Sequence, residues 1–387
     1  MSRGEIFTAR VEKIAVGGAG IARVEGKSVF IDLTAPGDLV RGRIMKENRS
    51  WAEAELLETL EPSPLRVTPA CPFFGLCGGC SLQHLNYEAQ IEAKSAILLE
   101  SCKRIGGFVP PDIGVRRSEP FGYRNRVQFH TDSENHPCFR ERKSQRLVAV
   151  SDCMVADAGI RSALREGKIN LTEVGKRFNV YSFKYTFLME GALEHGSVSI
   201  LGRELFMDVK LFFQSNAAML ETLIDDLLVV SRTADKSLPL ADVFCGIGTF
   251  ASFLAGYNGY EGFHEIDLVE ENKNAISLAR NNLNIYKKVN NKLNYYALKD
   301  SDWIKTQGKR RWGFMVLDPP REGLSPAFRE WLVMNGPGTV AYVSCDPATL
   351  ARDSGMLKGR YKMRGLTFYD FYPQTAHIES LAVFDRE

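Results

Sequence analysis

From about Ser215 onward the sequence alternates apolar runs with amphipathic stretches, and no other feature constrains the fold as tightly. "AAMLETLIDDLLVVSR" carries its apolar residues at helical spacing. It is followed by "LPLADVFCG", "GFHEIDLVE", "NAISLARNNL", "WGFMVLDPP", "PAFREWLVMNG" and "TVAYVSCDP". Short, almost wholly apolar strands separated by helical segments are the pattern of a parallel sheet with crossover helices. An α/β domain is expected over residues 215–387.

The first sixty residues follow a different period. "FTARVEKIAV" and "KSVFIDLTAP" alternate near period two, "VGGAGIARVEGK" links them, and "GDLVRGRIMKENRSWAEAELLETLEPSP" supplies two more strands. About five short strands predict a small closed or nearly closed β-barrel over residues 1–61. Such barrels often bind oligonucleotides, although that is only fold analogy. Residues 62–214 mix both patterns and predict an α+β domain, with "YRNRVQFHTD" and "SVSILGRELFMDV" as antiparallel strands. Two or three domains suit a chain of 387 residues.

A formal net charge of +2 means that any nucleic-acid surface must be local. The basic runs are "RRSEPFGYRNR", "CFRERKSQR" and "GKRRW". Each by itself is either a solvated face or a candidate nucleic-acid contact. Phe121, Tyr123, Phe129 and Phe139 lie among them as candidate stacking partners for splayed bases. No apolar run approaches the ~18 residues of a membrane helix, and "MSRGEIFTARVEKIAVGG" is no signal peptide. Eight cysteines in a long chain without an export signal suggest metal binding or catalysis rather than disulfides. A cytoplasmic monomer is expected.

Three strand ends could carry chemistry. "DVFCGIGTF" runs from a strand into a helix, with Gly246 and Gly248 allowing close approach of backbone to a ligand. Glu270 ends the next strand, where a carboxylate can accept from ribose hydroxyls. Ala251 takes the place of the last glycine in G-x-G-x-x-G, which leans toward S-adenosylmethionine over a dinucleotide. "VLDPPREGL" places Asp318 in a proline-stiffened turn. "AYVSCDPATLARD" places Cys345 directly after an apolar strand, as either a buried thiol or a nucleophile. Cys71, Cys77 and Cys80 form C-x5-C-x2-C, so a four-coordinate metal needs a remote fourth ligand. Zinc and an iron–sulfur cluster both fit the spacing.

"FFQSN", "DVFCGIGTF", "VLDPPREGL", "YVSCDPATLARD" and "TAHIESLAVF" occur in the order seen in RNA 5-methyluridine methyltransferases, and the chain resembles that family over nearly its whole length. Its amino-terminal barrel resembles a TRAM domain. "ACPFFGLCGGCSLQHLNYEAQ" resembles the family's iron–sulfur segment, and "FGYRNRVQFH" its central domain. The resemblance implies a Rossmann-like methyltransferase domain that methylates C5 of a uridine. It makes Cys345 the nucleophile on C6, Glu379 the base for the C5 proton, and His377 a neighbour sharing the strand face of Glu379. Gln214, Phe244, Thr249, Glu270 and Asp318 become contacts for S-adenosylmethionine or the uracil. Cys153 becomes the fourth ligand of a [4Fe–4S] cluster that clamps distant segments, with Cys102, Cys138 and Cys245 structural. The implied partner is RNA, 23S rRNA ahead of tRNA. Two rival readings remain: an amino-group methyltransferase using D-P-P-R, or a non-catalytic iron–sulfur RNA-binding protein. Many relatives have asparagine at the position of Asp346. A carboxylate facing the thiolate would raise its pKa, so Asp346 is expected to turn away toward backbone.

Overall fold

The computed structural model describes residues 1–169, 176–286, 291–307 and 310–387. β1 (Ile6–Ile14), β2 (Gly20–Val24), β3 (Lys27–Ile31), β4 (Leu39–Glu47) and β5 (Trp51–Glu61) close into a barrel in the order β1-β2-β3-β5-β4. Alternate residues point inward, so Val11, Ala22, Val29, Ile31, Val40 and Ile44 fill its interior. Closure leaves no edge strand exposed.

The middle of the chain begins with α1 (Tyr87–Arg104) and β6 (Ile113–Arg116). β7 (Arg126–Thr131), β8 (Pro137–Arg140) and β9 (Leu147–Ala149) follow, then α2 (Ala158–Arg165), β10 (Arg177–Phe183) and β11 (Thr186–Met189). Five of these strands form an antiparallel sheet ordered β11-β10-β7-β8-β9. β12 (His195–Ile200) and β13 (Arg203–Asp208) make a separate hairpin. The antiparallel reading of "YRNRVQFHTD" and "SVSILGRELFMDV" thus holds.

The third part contains α3 (Ala217–Ser231), β14 (Leu240–Val243), α4 (Thr249–Leu254), β15 (Glu265–Val269) and α5 (Lys273–Tyr286). It continues through β16 (Lys292–Tyr296), α6 (Asp300–Thr306), β17 (Phe314–Leu317), α7 (Pro326–Asn335) and β18 (Thr339–Ser344). It ends with α8 (Pro347–Leu357), β19 (Tyr361–Tyr369) and β20 (Glu379–Arg386). The eight-stranded sheet runs β16-β15-β14-β17-β18-β20-β19-β6. β14, β17 and β18 are buried at every residue because helices cover both faces. Separate apolar layers lie on the two sides, one around Leu223, Phe253 and Ile266, the other around Met315, Trp303 and Phe328. Burying each such side chain contributes about 1.5–3 kcal/mol.

Two features of this sheet place the chemistry. The chain leaves β14 toward β15 on one side, and the strand order reverses toward β17 on the other, which opens a crevice at the carboxyl ends of these strands. β20 runs antiparallel to β18 with Ser380 opposite Ser344, so the amino end of β20 meets the carboxyl end of β18. β6 comes from the middle of the chain and adds parallel to β19. No helix among the described residues is long and apolar enough to cross a membrane.

Candidate active site

A cleft of about 820 Å³ opens at the reversal point. Its wall includes Gln214, Phe244, Glu270, Asp318, Cys345 and Glu379, so six of the seven candidate catalytic and cofactor residues converge on it. Thr249, the seventh, is not among the lining residues; it opens α4 behind the glycine turn.

Cys345 stands where β18 stops. Asp346 and Pro347 end the strand, because proline cannot donate to the ladder but suits the first position of a helix. The Asp346 carboxylate caps that helix, accepting from the N–H groups of Ala348 at 2.9 Å and Thr349 at 2.8 Å. It is turned to backbone, as expected from the sequence. Glu379 opens β20, and because Ser344 faces Ser380, Cys345 and Glu379 are the next pair outward along the two strands.

The Asp318 turn is held from behind. Buried Asp353 accepts from the Leu324 N–H at 3.0 Å, Tyr342 Oη at 2.9 Å, Arg329 Nη1 at 2.9 Å and Arg352 Nε at 2.8 Å. Gly323 sits at φ +76°, and a Cβ there would come within 2.7 Å of the Asp353 carboxylate. Only glycine fits. Of the other two glycines, Gly248 packs on α5, where a Cβ would meet Leu283 at 2.7 Å, whereas Gly246 has open space. Phe244, a non-glycine residue at φ +65°, lines the cleft in a conformation that side-chain-bearing residues rarely adopt. Glu270 already accepts from the backbone N–H groups of Gly246 at 3.2 Å and Asn272 at 2.8 Å, which hold its carboxylate against the turn.

Burial dominates the electrostatics of the cleft. Burial pushes the Cys345 thiol up to about 12, with Glu379 and Asp318 adding to the rise and Arg321 opposing it. Burial also lifts Glu379 well above the usual carboxylate range, with the same two neighbours acting in the same senses. Asp318 is raised to about 7 by burial. Burial thus favours the protonated form of each group. Buried Gln214 leaves its Oε1 without a hydrogen-bond partner among the described residues, which costs stability unless a ligand donor reaches it.

One stability effect follows from Asp318. Its pKa is raised on folding, so the folded protein binds the extra proton and stability declines as pH climbs from about 4 to about 7. Asp318→Asn is expected to raise the melting temperature at pH 8 by roughly 2–4 °C or more, with the gain shrinking toward pH 4.5. Calorimetry of the variant at both pH values checks this; a loss at pH 8 would contradict it.

Two of the lining residues that the sequence reading did not single out stand out. Arg321 follows the D-P-P turn, and Phe212, 62% exposed, stands at the mouth of the cleft. Both lie inside the quoted motifs, so the signal was present. His377 needs correction. β20 begins only at Glu379, so His377 lies in the preceding loop, exposed, with its Nδ1 3.1 Å from Arg321 Nη2. The stacking candidates also change. Phe129 is fully buried and stacks on Phe139 with centroids 5.0 Å apart. Tyr123 is buried, with its Oη donating to Pro373 O at 2.8 Å. Arg310 pairs with Glu265 and Asp267, so "GKRRW" is partly a structural ion pair; Lys309 in that run lies outside the described residues.

Cys71, Cys77, Cys80 and Cys153 line a second chamber of about 250 Å³, walled also by Phe139 and Arg124. Burial pushes Cys77 up to about 11 and Cys80 up to about 12, and raises Cys153. No three His, Cys, Asp or Glu side chains among the described residues are grouped so that they could hold a metal ion. All eight cysteines are free, with Cys102, Cys138 and Cys245 buried.

A reversal-point cleft that holds a thiol and two carboxyls on neighbouring strand ends is the architecture of a Rossmann-like group-transfer enzyme. Residues 194–387 match the family model described as tRNA (Uracil-5-)-methyltransferase, and residues 2–57 match the TRAM domain. An RNA methyltransferase of Treponema denticola is 32% identical, over 97% of this chain and 98% of its own. The 23S rRNA (uracil(1939)-C(5))-methyltransferase RlmD of Alkalilimnicola ehrlichii is 30% identical, over 99% of this chain and 97% of its own. In fold, the chain is similar to the Pyrococcus abyssi tRNA (uracil-54, C5)-methyltransferase solved with S-adenosyl-L-homocysteine. That likeness has a TM-score of 0.74 at 24% identity and covers 98% of this chain and 100% of that one. The chain belongs to the RNA uracil-5-methyltransferase family.

Proposed function

We propose that this enzyme methylates C5 of a uridine in 23S rRNA with S-adenosylmethionine, through a covalent bond between Cys345 and C6 of the uracil. The observation that carries this reading is the meeting of Cys345, Glu379 and Asp318 at one cleft. C5 of uracil is too weak a nucleophile to attack a methyl sulfonium unaided. S-adenosylmethionine supplies an electrophilic methyl group on a cationic sulfur. That charge suits a cleft lined by the Glu270, Asp318 and Glu379 carboxyls, and the unpartnered Gln214 Oε1 offers an acceptor to a ligand donor.

Cys345 loses its proton to solvent, and its sulfur bonds to C6, so that electron density collects at C5. C5 then takes the methyl group as the methyl–sulfur bond breaks. Glu379 removes the C5 proton, the C5=C6 bond re-forms and the sulfur–C6 bond breaks, which returns the thiolate. Asp318, Phe244 and Glu270 orient the bound groups, and Thr249 supports the turn. Because C6 is attacked from the ring face, the uridine must leave its stack. We assign exposed Phe212 and Arg321 to hold it there.

The functional partition is a barrel over 1–61 that grips RNA, a central domain over 62–214 and a catalytic domain over 215–387, acting as a cytoplasmic monomer. Four thiols around a chamber, rather than around one point, suit a polynuclear [4Fe–4S] cluster better than zinc, which gathers thiolates to about 2.3 Å. Protein purified without oxygen should contain iron and acid-labile sulfide in about equal amounts; zinc alone would contradict the assignment. The substrate is tested by incubating the protein with donor and with transcripts of 23S rRNA or tRNA, then mapping 5-methyluridine. The rRNA should be methylated, and methylation of tRNA alone would overturn that choice.

A further inference from the structure

The segment between β19 and β20, residues 370–378, leads directly into Glu379 and is held almost entirely by the central part of the chain. Buried Lys94 of α1 donates to Asp370 at 2.6 Å and to Tyr372 O at 2.9 Å. The densest attachment is Gln374. It is buried and adopts φ +67°, the left-handed region that favours glycine. Every polar group it has is bonded. Its N–H donates to Gln90 Oε1 at 2.8 Å, and its Oε1 accepts from Gln90 Nε2 at 3.0 Å. Its Nε2 donates to Pro120 O at 3.3 Å. Its carbonyl accepts from the N–H groups of Ser81 and Leu82 at 3.0 and 2.9 Å.

Ser81 is the residue after Cys80, and its Oγ also accepts from the Ala376 N–H at 3.0 Å. Arg124, which lines the cysteine chamber, lies over the Tyr372 ring at 5.8 Å. The loop that supplies the last clustered cysteine and the strap that delivers Glu379 are therefore joined through two residues, Gln374 and Ala376. A non-glycine residue kept in a costly backbone conformation by so many bonds points to a position that must not drift.

Resting on the reading of Glu379 as the base, we infer that Gln374 is a positioning residue for removal of the C5 proton, setting the register of the strap against α1 and the cysteine segment. The consequence is selective. Addition of Cys345 depends on the end of β18, which the strap does not carry. Release of the methylated RNA depends on Glu379, which it does.

The test is a single-turnover reaction of the full chain with donor and labelled RNA, followed on denaturing gels that retain the protein–RNA adduct. Gln374→Gly suits the backbone angle and deletes both side-chain bonds. The adduct should form within about threefold of the wild-type rate and decay about ten- to a hundredfold more slowly. Formation and decay slowed in step would mean general damage, and an unchanged decay would mean no positioning; either overturns the inference. If Gln374→Gly does not fold, Gln90→Met removes the reciprocal partner and is judged by the same two rates. Glu379→Gln serves as the reference. Should its adduct fail to persist, the assignment of the base falls, whereas a persistent adduct there with a normal one in Gln374→Gly condemns this inference alone.

Discussion

Cys345→Ala is expected to lower methyl transfer by on the order of 10⁴-fold or more, while calorimetry should find S-adenosylhomocysteine binding within about twofold of wild type. The reason is chemical: without a sulfur to add at C6, nothing raises the electron density at C5, and no other group lining the cleft can replace it. The thiol lies at a strand end and its neighbour Asp346 caps α8, so removing one sulfur leaves the cap, the sheet and the donor site in place. Cys345→Ser should be equally inactive, since an alkoxide is far harder to form than a thiolate in a site that already pushes the thiol up to about 12. Retained turnover in either variant would favour the amino-group chemistry that the D-P-P-R turn alone would permit.

Glu379→Gln produces a different failure. If Glu379 is the base, the first half of the reaction should proceed while the methylated ring keeps its C5 proton, so turnover is expected to fall about 10²–10⁴-fold with accumulation of protein–RNA adduct. Glutamine keeps the size and hydrogen-bonding reach of the side chain and removes its basicity, which separates a base from a mere contact. Denaturing gels of reactions quenched at intervals measure both effects. A variant that is slow but never holds RNA covalently would place the base elsewhere, with Asp318 the first alternative.

The parts of this enzyme that could be read from the sequence are those whose burial leaves a regular trace. β14, β17 and β18 are covered on both faces, so they read as unbroken apolar runs, and each ends in a short motif whose turn residues mark the crevice. Glu270, Asp318 and Cys345 are therefore legible as strand-end residues, whereas Gln214, Phe244 and Glu379 were implied only by the family resemblance of their motifs. The barrel was legible for a similar reason, since its inward residues alternate. What the pattern could not carry was long-range. β6 is only four residues long, and nothing in "IGVR" says that it will pair with β19 some 250 positions away. Tyr123 and Phe129 looked like surface aromatics because charges flank them, yet their neighbours in space are Pro373 and Phe178. Gln374 showed no sign at all, because its left-handed angle follows from five contacts made by three distant segments.

The proposed bond from Cys345 to the uracil ring is open to direct detection. RNA carrying 5-fluorouridine at the target position has no removable C5 proton, so the reaction should halt after methyl transfer with RNA attached to the protein. Mass spectrometry of the digested complex is expected to find the modified pyrimidine, one methyl group heavier, on the peptide containing Cys345. Methylated RNA released free of protein, or an adduct mapped to another cysteine, would contradict the account.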